Sequence, residues 1–242
     1  CFTRLHIIHV MPSSATRRIG TYLMAAWYMD ARATSPPRTD VERALLYAVR
    51  AGLLLAMFTP LIVSTDALFP FIVGKAIFSR SVIEITFALW VMLAFAFPSY
   101  RLSRSWVLIA LAIWVAMSII AGFAGVSLQR SLWSTYERMQ GIFDQVHWLA
   151  FVIVAASVFR TLTHWKLLFS VNLAVSMVVA LLGVANQYGL INWAILGSGT
   201  RQVSTLGNAT YVGAYSMVNI LIAAALMGHS WRDRAPQVDP GR

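Results

Sequence analysis

SWVLIALAIWVAMSIIAG, residues 105–122, runs for eighteen positions without one charged side chain. At about 1.5 Å per helical residue, such a run crosses most of the roughly 30 Å hydrocarbon core of a bilayer. Similar runs flank it on both sides, at 44–63, 76–97, 142–159, 166–185 and 210–228. The run at 142–159 carries Asp144 and His147 near its start. Their expected position is headgroup depth, with Trp148 as an interfacial anchor. Backbone polar groups in lipid must find partners within their own segment, so these runs are expected to be helices. None alternates polar and apolar residues as a membrane barrel strand does. The expected fold is all-α: a polytopic transmembrane bundle of about six spans plus one interfacial amphipathic helix.

Composition agrees with this reading. Hydrophobic residues make up 59% of the 242 positions and charged residues only 12%, and the mean hydropathy is +0.69. A soluble domain cannot hide that much apolar surface. The net charge of +10 does not point to nucleic acid, because the basic residues sit in short loops between apolar runs rather than along one face. Cys1 is the only cysteine, which excludes an intrachain disulfide and a cysteine-built metal site.

The ends read differently from the middle. Residues 1–43 hold six arginines, and TRRIGTYLMAAWYM followed by ARA imitates a signal peptide. Its apolar part is too short to span, and cleavage there would put the new terminus outside, against the charge bias. We therefore expect a cytoplasmic or untranslated leader at 1–43, a membrane domain at 44–228 and a polar tail at 229–242. The first residue is Cys rather than Met, so a fragment of a longer protein is expected. With the N-terminus placed inside, thirteen Lys and Arg fall in inside segments and five outside. This bias predicts a multi-pass protein of the bacterial inner membrane with a cytoplasmic N-terminus.

Three outside-facing stretches carry the candidate site residues. In FPFIVGKAIFSRSVIEI, 69–85, Arg80 and Glu84 are four apart and share a helix face. One reading is an intrahelical ion pair that makes the glutamate tolerable. The other has Lys75 and Arg80 meeting a phosphate, with Glu84 orienting Arg80. In SLQRSLWSTYERMQGIF, 127–143, Leu128, Leu132, Tyr136, Met139 and Phe143 recur at helical spacing. Gln129, Arg130, Ser134, Glu137, Arg138 and Gln140 fill the other side. The pattern predicts an amphipathic helix in the interface, either a plain connector or one using Arg130 or Arg138 as a headgroup or diphosphate contact.

The third stretch is SGTRQVSTLGNATYVGAY, 198–215. Arg201 is the one charged residue between Lys166 and Arg232. A lone arginine between two apolar spans suits an anionic partner at the membrane surface, because a guanidinium grips phosphate through two parallel hydrogen bonds. Gly197, Gly199 and Gly207 allow tight turns, and Ser204, Thr205 and Asn208 add neutral hydrogen-bonding groups. Elsewhere, Asn172 and Ser176 suit helix–helix hydrogen bonding. His147, the one histidine near the outer face, has only Asp144 in its neighbourhood as an acidic partner. No metal-ligand spacing, paired carboxylates or Ser/His/Asp set is found, so neither a cofactor nor a metal is expected.

The run Arg201-Gln-Val-Ser-Thr-Leu-Gly-Asn, opening directly into an apolar span, resembles the O-antigen ligase family. That family has an arginine and a Gly-Asn-Pro-Asn-like segment before a transmembrane helix. The 69–75 run FPFIVGK and the 137–141 run ERMQG are also similar to the first half of bacterial members. Ala209-Thr210 departs from the usual Pro-Asn. The resemblance covers roughly residues 44–228. It implies a glycosyltransferase that moves a glycan from an undecaprenyl diphosphate carrier onto a lipid or protein acceptor at the periplasmic face, without nucleotide sugar. It assigns the diphosphate to Arg201, with Lys75, Arg80 and Arg138 as further contacts and Glu84, Glu137, Gly207 and Asn208 in support. The family's outside loop with a further arginine and histidine has no counterpart here, so the expected parent activity would be missing from this portion alone. Two other classes stay open: a transporter or flippase segment for lipid-linked glycan, and a membrane scaffold without catalysis. The deeper polar candidates, Arg50 and Asn172, are few for a transporter.

Overall fold

The computed structural model describes residues 39–102, 105–135, 138–191 and 201–234. The leader up to residue 38, Arg104, Tyr136, Glu137, Gly197, Gly199 and the tail beyond 234 lie outside the described residues. The chain divides into two units, Cys1–Ser35 and Pro36–Arg242, and every described residue belongs to the second. Its described part is helical, without a strand. The helices are α1 (Asp40–Ala56), α2 (Val73–Ala96), α3 (Trp106–Ala124), α4 (Leu128–Trp133), α5 (Ile142–Val158), α6 (Leu162–Gln187) and α7 (Ala209–Arg234).

Among the described residues, four helices are long and apolar enough to cross a membrane: α2, α3, α6 and α7 through Trp231. The two other expected spans are shorter. Both α1 and α5 have 17 residues, about 25 Å at the helical rise. The run at 44–63 does not continue as one helix, because Pro60 disfavours helical backbone at the residue before it. There the Thr59 hydroxyl donates to the Ala56 carbonyl (2.7 Å), and the chain turns through a 3-10 turn at Thr59–Leu61.

Helix α1 begins at Asp40, so residues 40–43 belong to the helix. Thr39 caps it, its hydroxyl accepting from the Glu42 amide (3.1 Å). Glu42, Leu46, Val49, Leu53 and Ala56 form its buried stripe, at the spacing of one helix face. With Leu93 of α2, Tyr100, Val154, Ala155 and Val158 of α5, Phe159 and Leu168 of α6, three of these, Leu46, Val49 and Leu53, make the core. Where α1 crosses α2, a side chain at Gly52 would overlap the Thr86 hydroxyl. Small residues at such crossings let helices pack closely where lipid offers no hydrophobic drive.

The expected amphipathic helix at 127–143 is broken. Among its described residues the helix holds over Leu128–Trp133 and then stops, because Ser134 turns to φ +65° and Met139 to φ +52°. Phe143 belongs instead to α5, where its ring meets Trp133 at 4.7 Å between centroids. Between α6 and α7, Asn172 Nδ2 donates to Asn219 Oδ1 (2.7 Å), the interhelical bond expected of Asn172. The outer faces of α3 and α7 are apolar and exposed: Trp106, Ile113, Trp114, Met117, Ile120 and Phe123 on one, Met217, Ile220, Leu221 and Met227 on the other. Only 6% of the apolar window of α7 is buried within the structure. Apolar surface of this extent matches a lipid environment.

Candidate functional site

Two loops meet the N-terminal half of α2. The first, 201–208, is tied down from several sides. Lys75 Nζ donates to the Ile62 carbonyl (2.6 Å) and the Thr205 carbonyl (2.7 Å). Ser204 Oγ donates to the Val179 carbonyl of α6 (2.6 Å), and Gln202 bonds Gln187. Gly207 has φ +73° and seats against the Phe71 ring, where a Cβ would collide. Asn208 Oδ1 accepts from the Thr210 amide (2.8 Å), capping the first turn of α7.

The residues expected around a ligand therefore take different places. Lys75 is bound to two carbonyls and serves as a tie between the 62 and 205 segments. Ser204 and Thr205 are buried, and Asn208 is occupied as a cap. Gly207 makes the expected turn. Arg201, at the start of the loop, is exposed, and no described carboxylate or carbonyl engages its guanidinium.

The second loop, 134–141, is held by Arg80. Its guanidinium bonds the Met139 carbonyl and pairs with Asp144 Oδ1 of α5 (3.2 Å), the two side chains being 12% and 21% exposed. It also lies over the Phe143 ring, 5.4 Å from its centroid. Trp148 Nε1 donates to the second Asp144 oxygen (3.1 Å). Glu84 does not orient Arg80, and the expected intrahelical pair is absent. Its carboxylate instead meets His147 Nε2 of α5 (2.8 Å). The shared face of Arg80 and Glu84 points at α5, which satisfies both.

Sequence reasoning missed this pairing, although a signal exists. Arg80 and Glu84 run positive then negative along α2, while Asp144 and His147 run negative then positive along α5. Two helices side by side in the same direction bring these pairs into register. Glu84 also lies halfway along α2, deeper than the outer end expected for it.

Beside the second loop, Ser127, Gln129, Arg130, Trp133, Ser134, Thr135 and Met139 line an open cleft of about 620 Å³. Arg130 and Arg138 are exposed, and no described residue pairs with either guanidinium. Among the described residues, no three His, Cys, Asp or Glu side chains gather as a metal site. The arrangement thus offers three exposed guanidinium groups, that of Arg130 on α4 and those of Arg138 and Arg201 on loops that buried polar ties hold to the helices. Fixed cations of this kind suit an anionic ligand at a membrane surface. No protein-family model, curated protein or solved structure matches the chain.

Proposed function

We propose that this protein belongs to a membrane glycosyltransferase of the O-antigen ligase kind. Its role there is to bind an undecaprenyl diphosphate-linked glycan at the periplasmic side of the bacterial inner membrane. The observation that carries the reading is Arg201: an exposed guanidinium that no described carboxylate pairs with, on a loop anchored by the buried Ser204 and Thr205 and by Lys75. A diphosphate leaving group gathers negative charge as the glycosyl bond breaks, and a preorganised cation stabilises it. Arg138 and Arg130 extend the same positive surface. Lys75 and Arg80, both engaged internally, act by holding the loops in position. In this reading α1 and α5 complete a bundle of six spans, and the N-terminus is cytoplasmic.

The test is binding of undecaprenyl diphosphate to the protein in nanodiscs. A charge-assisted hydrogen bond contributes about 1.5–3 kcal/mol, so Arg201→Ala is expected to weaken binding by roughly tenfold or more. Arg201→Lys should recover part of it, because lysine keeps the charge but loses the paired hydrogen bonds. Unchanged affinity in Arg201→Ala removes the reading. A second reading, a transporter or flippase segment for the same carrier, is supported by the ionisable pair Glu84–His147 inside an apolar helix pair. Carrier flux in reconstituted vesicles without glycan transfer would favour it.

A further inference from the structure

We propose that Glu84 and His147 form a proton-binding site between α2 and α5, holding one exchangeable proton between Nε2 and Oε1. The argument is one of valence. His147 Nδ1 lies 2.7 Å from the Phe143 carbonyl, and a carbonyl can only accept, so Nδ1 carries a hydrogen. Nε2 then lies 2.8 Å from a carboxylate oxygen. A bare Nε2 and an ionised carboxylate would both be acceptors at that distance and would repel. The contact is stable only with a proton between them, as imidazolium and carboxylate or as imidazole and carboxylic acid.

The setting gives that proton a fixed environment. The His147 side chain is 9% exposed, whereas the Glu84 side chain is 59% exposed. The glutamate is the more open partner of the two, halfway along α2. One turn away, Arg80 and Asp144 neutralise each other. Among described residues of the other helices packed on α5, α3 has no charged residue. Arg50 of α1 bonds the Val158 carbonyl at the far end of α5 (3.3 Å), and Arg130 of α4 is exposed. The dyad is thus the proton-holding group of this seam. Losing the proton leaves two facing acceptors, which weakens this contact between α2 and α5. The site is independent of the glycosyltransferase reading, since it needs neither Arg201 nor a carrier lipid.

The deciding experiment is nitrogen-15 NMR of histidine-labelled protein in nanodiscs at neutral pH, with infrared detection of protonated carboxyl. The wild type is expected to show either a doubly protonated His147 ring or a protonated Glu84 carboxyl. In Glu84→Gln the amide can donate to Nε2, so the bridge persists while His147 becomes a neutral ring with a bare Nε2. A wild-type spectrum combining a neutral ring with an ionised carboxylate overturns the proposal. So does a His147 ring state that is the same in both proteins while the wild-type carboxyl is ionised. The wild-type spectrum decides the matter by itself if the variant does not fold.

Discussion

The two ends of the bundle treat their cations in opposite ways. At one end, Arg160 Nε donates to the Ser157 carbonyl (2.7 Å), Nη2 donates to the Arg101 carbonyl (3.3 Å), and the guanidinium lies over the Tyr100 ring. Arg101 donates to the Ala94 carbonyl (3.2 Å), and the Tyr100 hydroxyl donates to the buried Glu42 (3.0 Å). Positive charge there closes helix ends, as cations near C-terminal carbonyls do. At the other end the cations divide. Lys75 and Arg80 are spent on internal ties, while Arg130, Arg138 and Arg201 reach the surface without a described partner. Counting basic residues says how many lie at each end, whereas their partners say what each one does. A candidate anion site is where the guanidinium is held by its backbone and left open at its tip.

The strongest way to break this contrast is to remove an internal tie. Asp144→Ala strands the Arg80 guanidinium in a largely buried position. Removing one partner of a buried ion pair costs about 3–5 kcal/mol, so thermal unfolding in nanodiscs should shift sharply downward. An unfolding temperature equal to the wild type would mean that Met139 alone satisfies Arg80. Next is Gly207→Ala, which forces a side chain into left-handed backbone and against Phe71. A loss of about 1–3 kcal/mol is expected, together with faster proteolysis of the 201–208 loop. If the loop stays protected, the seat on Phe71 does not hold it.

Asn172→Ala removes the α6–α7 bond and should cost about 0.6–2 kcal/mol, seen as weakened helix association in detergent titration. At the Tyr100 end the sharpening experiment is pH. Burial, the hydrogen bond to Glu42 and the Glu42 charge push the Tyr100 hydroxyl up to about 12. The folded pKa is thus above the unfolded value of about 10. Its stabilisation is fully present below about pH 10 and is lost as pH rises to about 12. Tyr100→Phe should flatten that alkaline loss, and an unaltered profile would assign it to other groups. The smallest stability effect belongs to Arg201→Ala, within about 0.5 kcal/mol, even though its effect on binding should be the largest at the open end. A strong fall in stability there would place Arg201 with the ties.

Much of the architecture was legible in the residues. Runs such as 105–122 announced helices for lipid, because length and absence of charge suffice for that. Asn172 announced an interhelical bond, since an amide in an apolar helix must find a partner. The 44–63 run misled, because hydropathy does not weigh the break that Pro60 makes. The 127–143 pattern misled as well, since its helical spacing is interrupted by left-handed backbone at Ser134 and Met139. Around the candidate site, Arg201 stood out by isolation in sequence. Lys75, Ser204, Thr205 and Asn208 looked like ligand groups because the side chains that anchor a loop are the same types that bind a phosphate.

What the sequence determined by itself was the class and the solvent: apolar helices of membrane-crossing length, with the basic residues gathered between them. Both follow from one-dimensional quantities, the length of an apolar run and the distance to the next charge. Only the tertiary structure decided which charges are spent. The pairing of Arg80 with Asp144 and of Glu84 with His147 joins residues over sixty positions apart. No local rule chooses between an intrahelical partner four residues away and one on a neighbouring helix. That choice depends on which faces of α2 and α5 meet, and it leaves Arg201 open while Lys75 is closed.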